Sequence, residues 1–232
     1  MDLIRRCTPW LGLVGPVPVL LGTIAAYKHY SGDGYSFLRQ AISDLGDPTR
    51  SPWAWAFNSG MMASGLCIAL FIAGAARQVN RPYGYAIAAA GIVTTLGMMG
   101  IGVFTAEGET QIPHYLSAGI AFSGILILST ALSFYLPFGQ QDVLPRWLVA
   151  PSALTAGYSI LFLVLLIASR IGFIADSALL IHSGTGKELI HLITTLEWVV
   201  LGNVLLLCFS TALSLIPKRQ RKPHQNGPSN PC

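Results

Sequence analysis

Charge is what this chain has least of. Only 10% of its 232 residues are Asp, Glu, Lys or Arg, against about 25% in soluble domains. A surface so poor in charge excludes the water-soluble globular classes. Metal-binding spacing is missing too: no HxxxH and no HExxH occurs around the five histidines, so no metal site is expected. The stretch His182-Ser183-Gly184-Thr185-Gly186-Lys187-Glu188 is Gly-rich but lacks the GxxxxGK[ST] spacing, and no strand precedes it. A phosphate loop is therefore excluded, and Ser183 or Thr185 suits the cap of the helix that follows. The basic residues form no single patch, so nucleic acid is not an expected partner. Cysteine is sparse: Cys67 and Cys208 fall inside apolar runs, and Cys7 and Cys232 near the termini. That pattern builds no disulfide framework. Cys232 is the last residue, so it is not a prenylation motif. No cofactor is implied.

What the chain has in abundance is apolar sequence, 53% of it, with a mean hydropathy of +0.58. Uninterrupted runs of 18 or more apolar residues indicate spanning helices. Six are expected, over about 9–29, 53–76, 83–106, 115–136, 147–169 and 188–216. The first has the Arg5-Arg6 flank of a secretory signal, but it is longer than an h-region and more spans follow, so it reads as a retained helix bent around Pro16 and Pro18. Ala56, Gly60 and Ser64 form a small-xxx-small stripe on the second. The third is rich in Gly and Ala and suits a central place in the bundle.

The charges then set an orientation. With the N-terminus cytoplasmic, the inner segments hold Arg5, Arg6, Arg77, Arg81, Arg146, Lys218, Arg219, Arg221 and Lys222 against Asp2 and Asp142. The outer segments hold five basic residues against seven acids. Both termini inside satisfies the positive-inside rule at every inner loop. The expected architecture is an all-α, polytopic six-helix bundle in the plasma membrane, one domain over 1–217, followed by a basic, disordered cytoplasmic tail over 218–232.

The stretch from Gly34 to Pro48 lies between the first two spans. Phe37, Leu38, Ala41, Ile42 and Leu45 recur at helical spacing, which predicts a short amphipathic helix closed by Gly46 at C′ and by Asp47-Pro48. Asp44 falls on its inward side, where a carboxylate must find a partner or take up a proton. Arg39 and Arg50 are the nearby cations. His114 opens the fourth helix after Pro113, within reach of Glu107 or Glu109. Glu197 lies about two turns into the last helix, beside Trp198 and one turn after Thr194. An ionisable residue at that depth is a functional candidate. Its bland reading is a packing role, paired with Thr194 or Asn58. Asp44, His114 and Glu197 are the candidate catalytic residues. Ser43, Asn58, Glu107 and His191 are the candidate ligand contacts.

Ile42-Ser43-Asp44-Leu45-Gly46 after the first span, Asn58-Ser59-Gly60 in the second, and Gly102-Val103-Phe104 with His114 and Ala118 after the third together resemble domain-of-unknown-function family 998. The chain has Thr105-Ala106 where many members carry a proline. The Ile-Ser-Asp stretch also resembles the six-span damage-regulated autophagy modulators. These resemblances imply a six-helix bundle with an outward-facing pocket, and no particular reaction. The expected function is the binding or movement of a lipid or small hydrophobic molecule at a polar vestibule floored by Asp44, Glu107, His114 and Glu197, with membrane lipids as partners. The alternative is an integral-membrane enzyme with Asp44 or Glu197 as acid and His114 as base on a lipid or prenyl substrate. A proton-coupled transporter ranks lower, because no repeat is visible.

Overall fold

The structure is a computed structural model. It describes residues 2–32, 34–79, 81–138, 144–175 and 185–216, with side chains from Arg6 onward and outside 169–191. The predicted tail, 218–232, lies outside the described residues.

Seven helices are present among these residues: α1 Asp2–Val14, α2 Val17–Lys28, α3 Ala54–Ala76, α4 Arg81–Val103, α5 Gln111–Phe138, α6 Val149–Ala175 and α7 Thr185–Leu215. They make six segments long and apolar enough to cross a membrane, α1 and α2 together forming the first. Helices are what such a sequence must form, because hydrocarbon offers no partner to a bare amide or carbonyl. Each helix packs on the next, and α1 packs on α7, closing the ring in chain order. One end of the bundle therefore carries the α2–α3 and α4–α5 loops with the start of α7. It is called here the Asp44 end. The other carries the start of α1, the α3–α4 and α5–α6 loops, and the end of α7; it is the Arg77 end.

Close approach is bought with small residues. The Gly60 backbone lies against the Pro18 carbonyl, and the Gly22 backbone against the Ala56 carbonyl, so a side chain at either position would collide. Gly97 and Gly124 do the same between α4 and α5. The Gly/Ala content of α4 thus serves close contact within the ring, not a central position. Its other flank is exposed at Ile92, Val93 and Leu96.

The expected bend in the first span is a full break. Pro16 stands at the N-cap of α2 with Pro18 in its first turn. In an unbroken helix the Val19 amide would donate to the Gly15 carbonyl. It donates instead to Ser64 Oγ of α3, at 3.0 Å. Ser64 is wholly buried, so this bond has no water to replace it. Ser64→Ala should destabilise the purified protein by about 1–3 kcal/mol, read as a lowered unfolding temperature in detergent. An unchanged temperature would show that the break is satisfied elsewhere.

Candidate functional site

The loop between α2 and α3 folds into the Asp44 end. Gly32 and Gly34 have φ of 76° and 83°, a left-handed conformation that side chains resist, and they turn the chain back over the bundle. Only Ile42–Gly46 is helical, as a 3₁₀ turn. The longer amphipathic helix expected here does not form: Phe37 and Leu38 are 48% and 63% exposed, while Leu45, Gly46 and Asp47 are buried. Gly46 does not adopt the positive φ of a C′ glycine. Its small size is what matters, because a Cβ there would meet Phe57 and the Asn58 side chain.

Four side chains of the spans hold this loop. Thr194 Oγ1 donates to the Leu38 carbonyl at 3.2 Å, and Trp198 Nε1 donates to the Tyr35 hydroxyl at 3.1 Å. Glu197 Oε2 accepts the Ile42 amide at 3.0 Å. From α3, Asn58 Nδ2 donates to the Gly46 carbonyl at 2.9 Å. Thr194, Glu197 and Trp198 share one helix face at three- and four-residue spacing, so one stripe of α7 grips residues 35–42. The Tyr35 hydroxyl in turn lies 2.9 and 2.7 Å from the Gln40 and Ala41 carbonyls, which share its one proton. Its ring packs edge-on against Tyr27, Tyr30, Phe37 and Trp198. Burial pushes the Tyr35 phenol above its ordinary pKa.

The second tie is ionic. The Arg50 guanidinium lies 3.3 Å from Asp44 Oδ2 and 3.2 Å from Asp47 Oδ2, and it pairs with Glu107 of the α4–α5 loop. Asp47 is 1% exposed and Arg50 39%. Asp47 Oδ1 accepts from the Thr49 amide and hydroxyl, both at 2.8 Å. Asp47 Oδ2 has no aligned hydrogen bond, so the nearby Arg50 charge is what holds it. Burial pushes the Asp44 carboxyl above its ordinary pKa. Arg50 and the Ala41 amide, 3.1 Å from Oδ2, pull it back.

The expected pairings change accordingly. Asp44 takes Arg50, as one of the two cations considered. Glu107 goes to Arg50 and not to His114. The buried His114 places Nδ1 2.8 Å from the Phe104 carbonyl. A carbonyl only accepts, so Nδ1 carries the proton. Glu197 binds the loop amide, whereas Thr194 and Asn58 each bind a loop carbonyl. Ser43 is half-buried in the 3₁₀ turn. The His191 side chain lies outside the described residues. Among the described residues no three His, Cys, Asp or Glu side chains are placed to hold a metal ion. Tyr35 was not singled out in the sequence; its place after Gly34 among other aromatics was the available signal.

A cavity of about 80 Å³ lies in the other half of the bundle, lined from α3, α4, α5, α6 and α7 and by Leu144. Four hydroxyl residues line it, Thr94, Ser129, Thr155 and Thr211, and three of them bond within their own helices. Thr94, Ser129 and Thr155 each donate to the carbonyl four residues back, at 2.9, 2.6 and 2.7 Å. The wall presented to the cavity is hydrocarbon.

Six apolar segments closed into a ring, with a structured loop tied into one end, define a polytopic α-helical membrane protein. A family model described as "Protein of unknown function (DUF998)" matches residues 13–185, and the chain belongs to that family. No curated protein and no solved structure matches it.

Removing the α7 acceptor should loosen the loop. Glu197→Leu leaves the Ile42 amide without its partner, at a cost of about 1–3 kcal/mol. The amides of Ala41–Leu45 should then exchange with deuterium roughly five- to a hundredfold faster. Glu197→Gln, which keeps an acceptor, should leave them protected. Equal protection in the leucine variant would show that Glu197 does not hold the loop.

Proposed function

We propose that this chain binds or moves a lipid or small hydrophobic molecule, taking its apolar part into the cavity between α3 and α7. The observation that carries this reading is the chemistry of the wall. A hollow with hydrocarbon sides leaves those atoms without dispersion partners and gives water too few hydrogen-bonding groups to remain. An apolar guest restores the contacts. At about 80 Å³ the space takes on the order of five water-sized groups, which suits the end of an acyl or prenyl chain. The enzyme reading has less support: the His114 ring is bonded to a backbone carbonyl, and Glu197 to a backbone amide.

The test is native mass spectrometry in mild detergent. Wild-type protein should retain a lipid-sized mass increment. Ala75→Phe, which fills the cavity from α3, should retain several-fold less while unfolding at a similar temperature. Leu207→Phe on α7 gives the same reading if the first variant folds poorly. Equal retention in wild type and a folded variant, or no increment in the wild type, overturns the proposal.

The proposed setting is the plasma membrane with the Asp44 end outside and both termini in the cytoplasm. The support is charge: nine basic residues against two acids on the opposite side. Leu38→Cys in a Cys7→Ser/Cys232→Ser background should react with an impermeant maleimide in intact cells. Labelling only after lysis would reverse the orientation.

A further inference from the structure

The cavity approaches the surface where the arginines are. The α3–α4 turn runs Arg77-Gln78-Val79-Asn80-Arg81. The Gln78 and Val79 amides donate to the Ala75 and Ala76 carbonyls at 2.9 and 3.2 Å, so the turn closes tightly over the end of α3. Its one apolar residue, Val79, is buried and lines the cavity. Arg77 and Arg81 stand exposed on either side of it, and among the described residues neither is in an ion pair. The α5–α6 loop repeats the arrangement: Leu144 is buried in the cavity wall and Arg146, two residues on, is exposed. Arg6 of α1 is exposed at the same end. Asp2 and Asp142 are the only acids the sequence places there. Arg81 also opens α4, whose N-terminus adds a partial positive charge.

Two independent features thus meet at the Arg77 end: an apolar hollow walled there by Val79 and Leu144, and exposed arginines two residues along the chain from each of them. One is suited to a hydrocarbon chain, and the other to a negative headgroup held within a screening length. We propose that the ligand is an anionic membrane lipid, its chain end in the cavity and its phosphate against Arg77 and Arg81. This inference rests on the hydrophobic-ligand reading above and narrows it to a charge class and to one end of the bundle. An arginine beside an anionic headgroup is worth about a fivefold change in affinity, so the pair should give roughly 25-fold.

The test offers equimolar phosphatidylglycerol and phosphatidylcholine with identical chains to the full-length, detergent-purified protein. Bound lipid is counted by native mass spectrometry in wild type, Arg77→Gln/Arg81→Gln and Ala75→Phe. The wild type should retain phosphatidylglycerol preferentially. The double arginine variant should lose most of that preference while still retaining lipid, and Ala75→Phe should retain little of either. Equal retention of the two lipids by wild type overturns the charge assignment and leaves hydrophobic binding standing. Preference that survives Arg77→Gln/Arg81→Gln places the headgroup elsewhere and overturns the site. Preference and occupancy unchanged in Ala75→Phe overturn the link between arginines and cavity. No retained lipid of either kind in wild type removes the underlying reading as well.

Discussion

Inside a bilayer an amide or carbonyl that leaves its helix must be met by another protein group, and this constraint decides where the polar residues of this chain go. The break at Pro16 releases the Val19 amide, and Ser64 meets it. The loop over the Asp44 end brings non-helical backbone against the bundle, and Thr194, Glu197 and Asn58 meet its groups at Leu38, Ile42 and Gly46. Four polar residues that stand out in apolar runs are thereby explained by backbone groups outside their own helices. Arg50 does a related service for charge. It brings Asp44, Asp47 and Glu107 to one guanidinium and joins the α2–α3 loop to the α4–α5 loop.

The two ends of the bundle consequently differ in kind. At the Asp44 end, loop, carboxylates and aromatic rings are bonded into a closed layer. At the Arg77 end the α3–α4 turn buries Val79 and the described part of the α5–α6 loop buries Leu144 and Leu148, with exposed arginines beside them. The hollow lies beneath these turns, not beneath the layered end. The bonded polar layer at Asp44 and the apolar cavity at Val79 are separate parts of the bundle.

The spans were legible because their signal is local: a run of apolar residues long enough to cross hydrocarbon has few other fates. The break at Pro16 and the close packing at Gly60 were legible for the same reason, each following from one residue's shape. The pairings were not. Nothing near Glu197 in the chain names Ile42, 155 positions away, and Glu107 has a histidine nearer in sequence than the arginine it takes. The amphipathic spacing of Phe37 to Leu45 was real but misleading. Here the loop is shaped by bonds to α7 and by Arg50, which override a weak helical period. The cavity left no mark at all, since a hollow is what packing fails to fill, and its hydroxyl-bearing residues look like any other small residues in a span.

The shared bond between Val19 and Ser64 also bears on the order in which the molecule is built. The first span is two rods, of 13 and 12 residues, separated at Pro16. Until α3 lies alongside, the second rod enters hydrocarbon with an amide that nothing satisfies. The first two spans are therefore most stable as a hairpin delivered together, and the insertion machinery has reason to hold the first in a wet environment until the second has been synthesised.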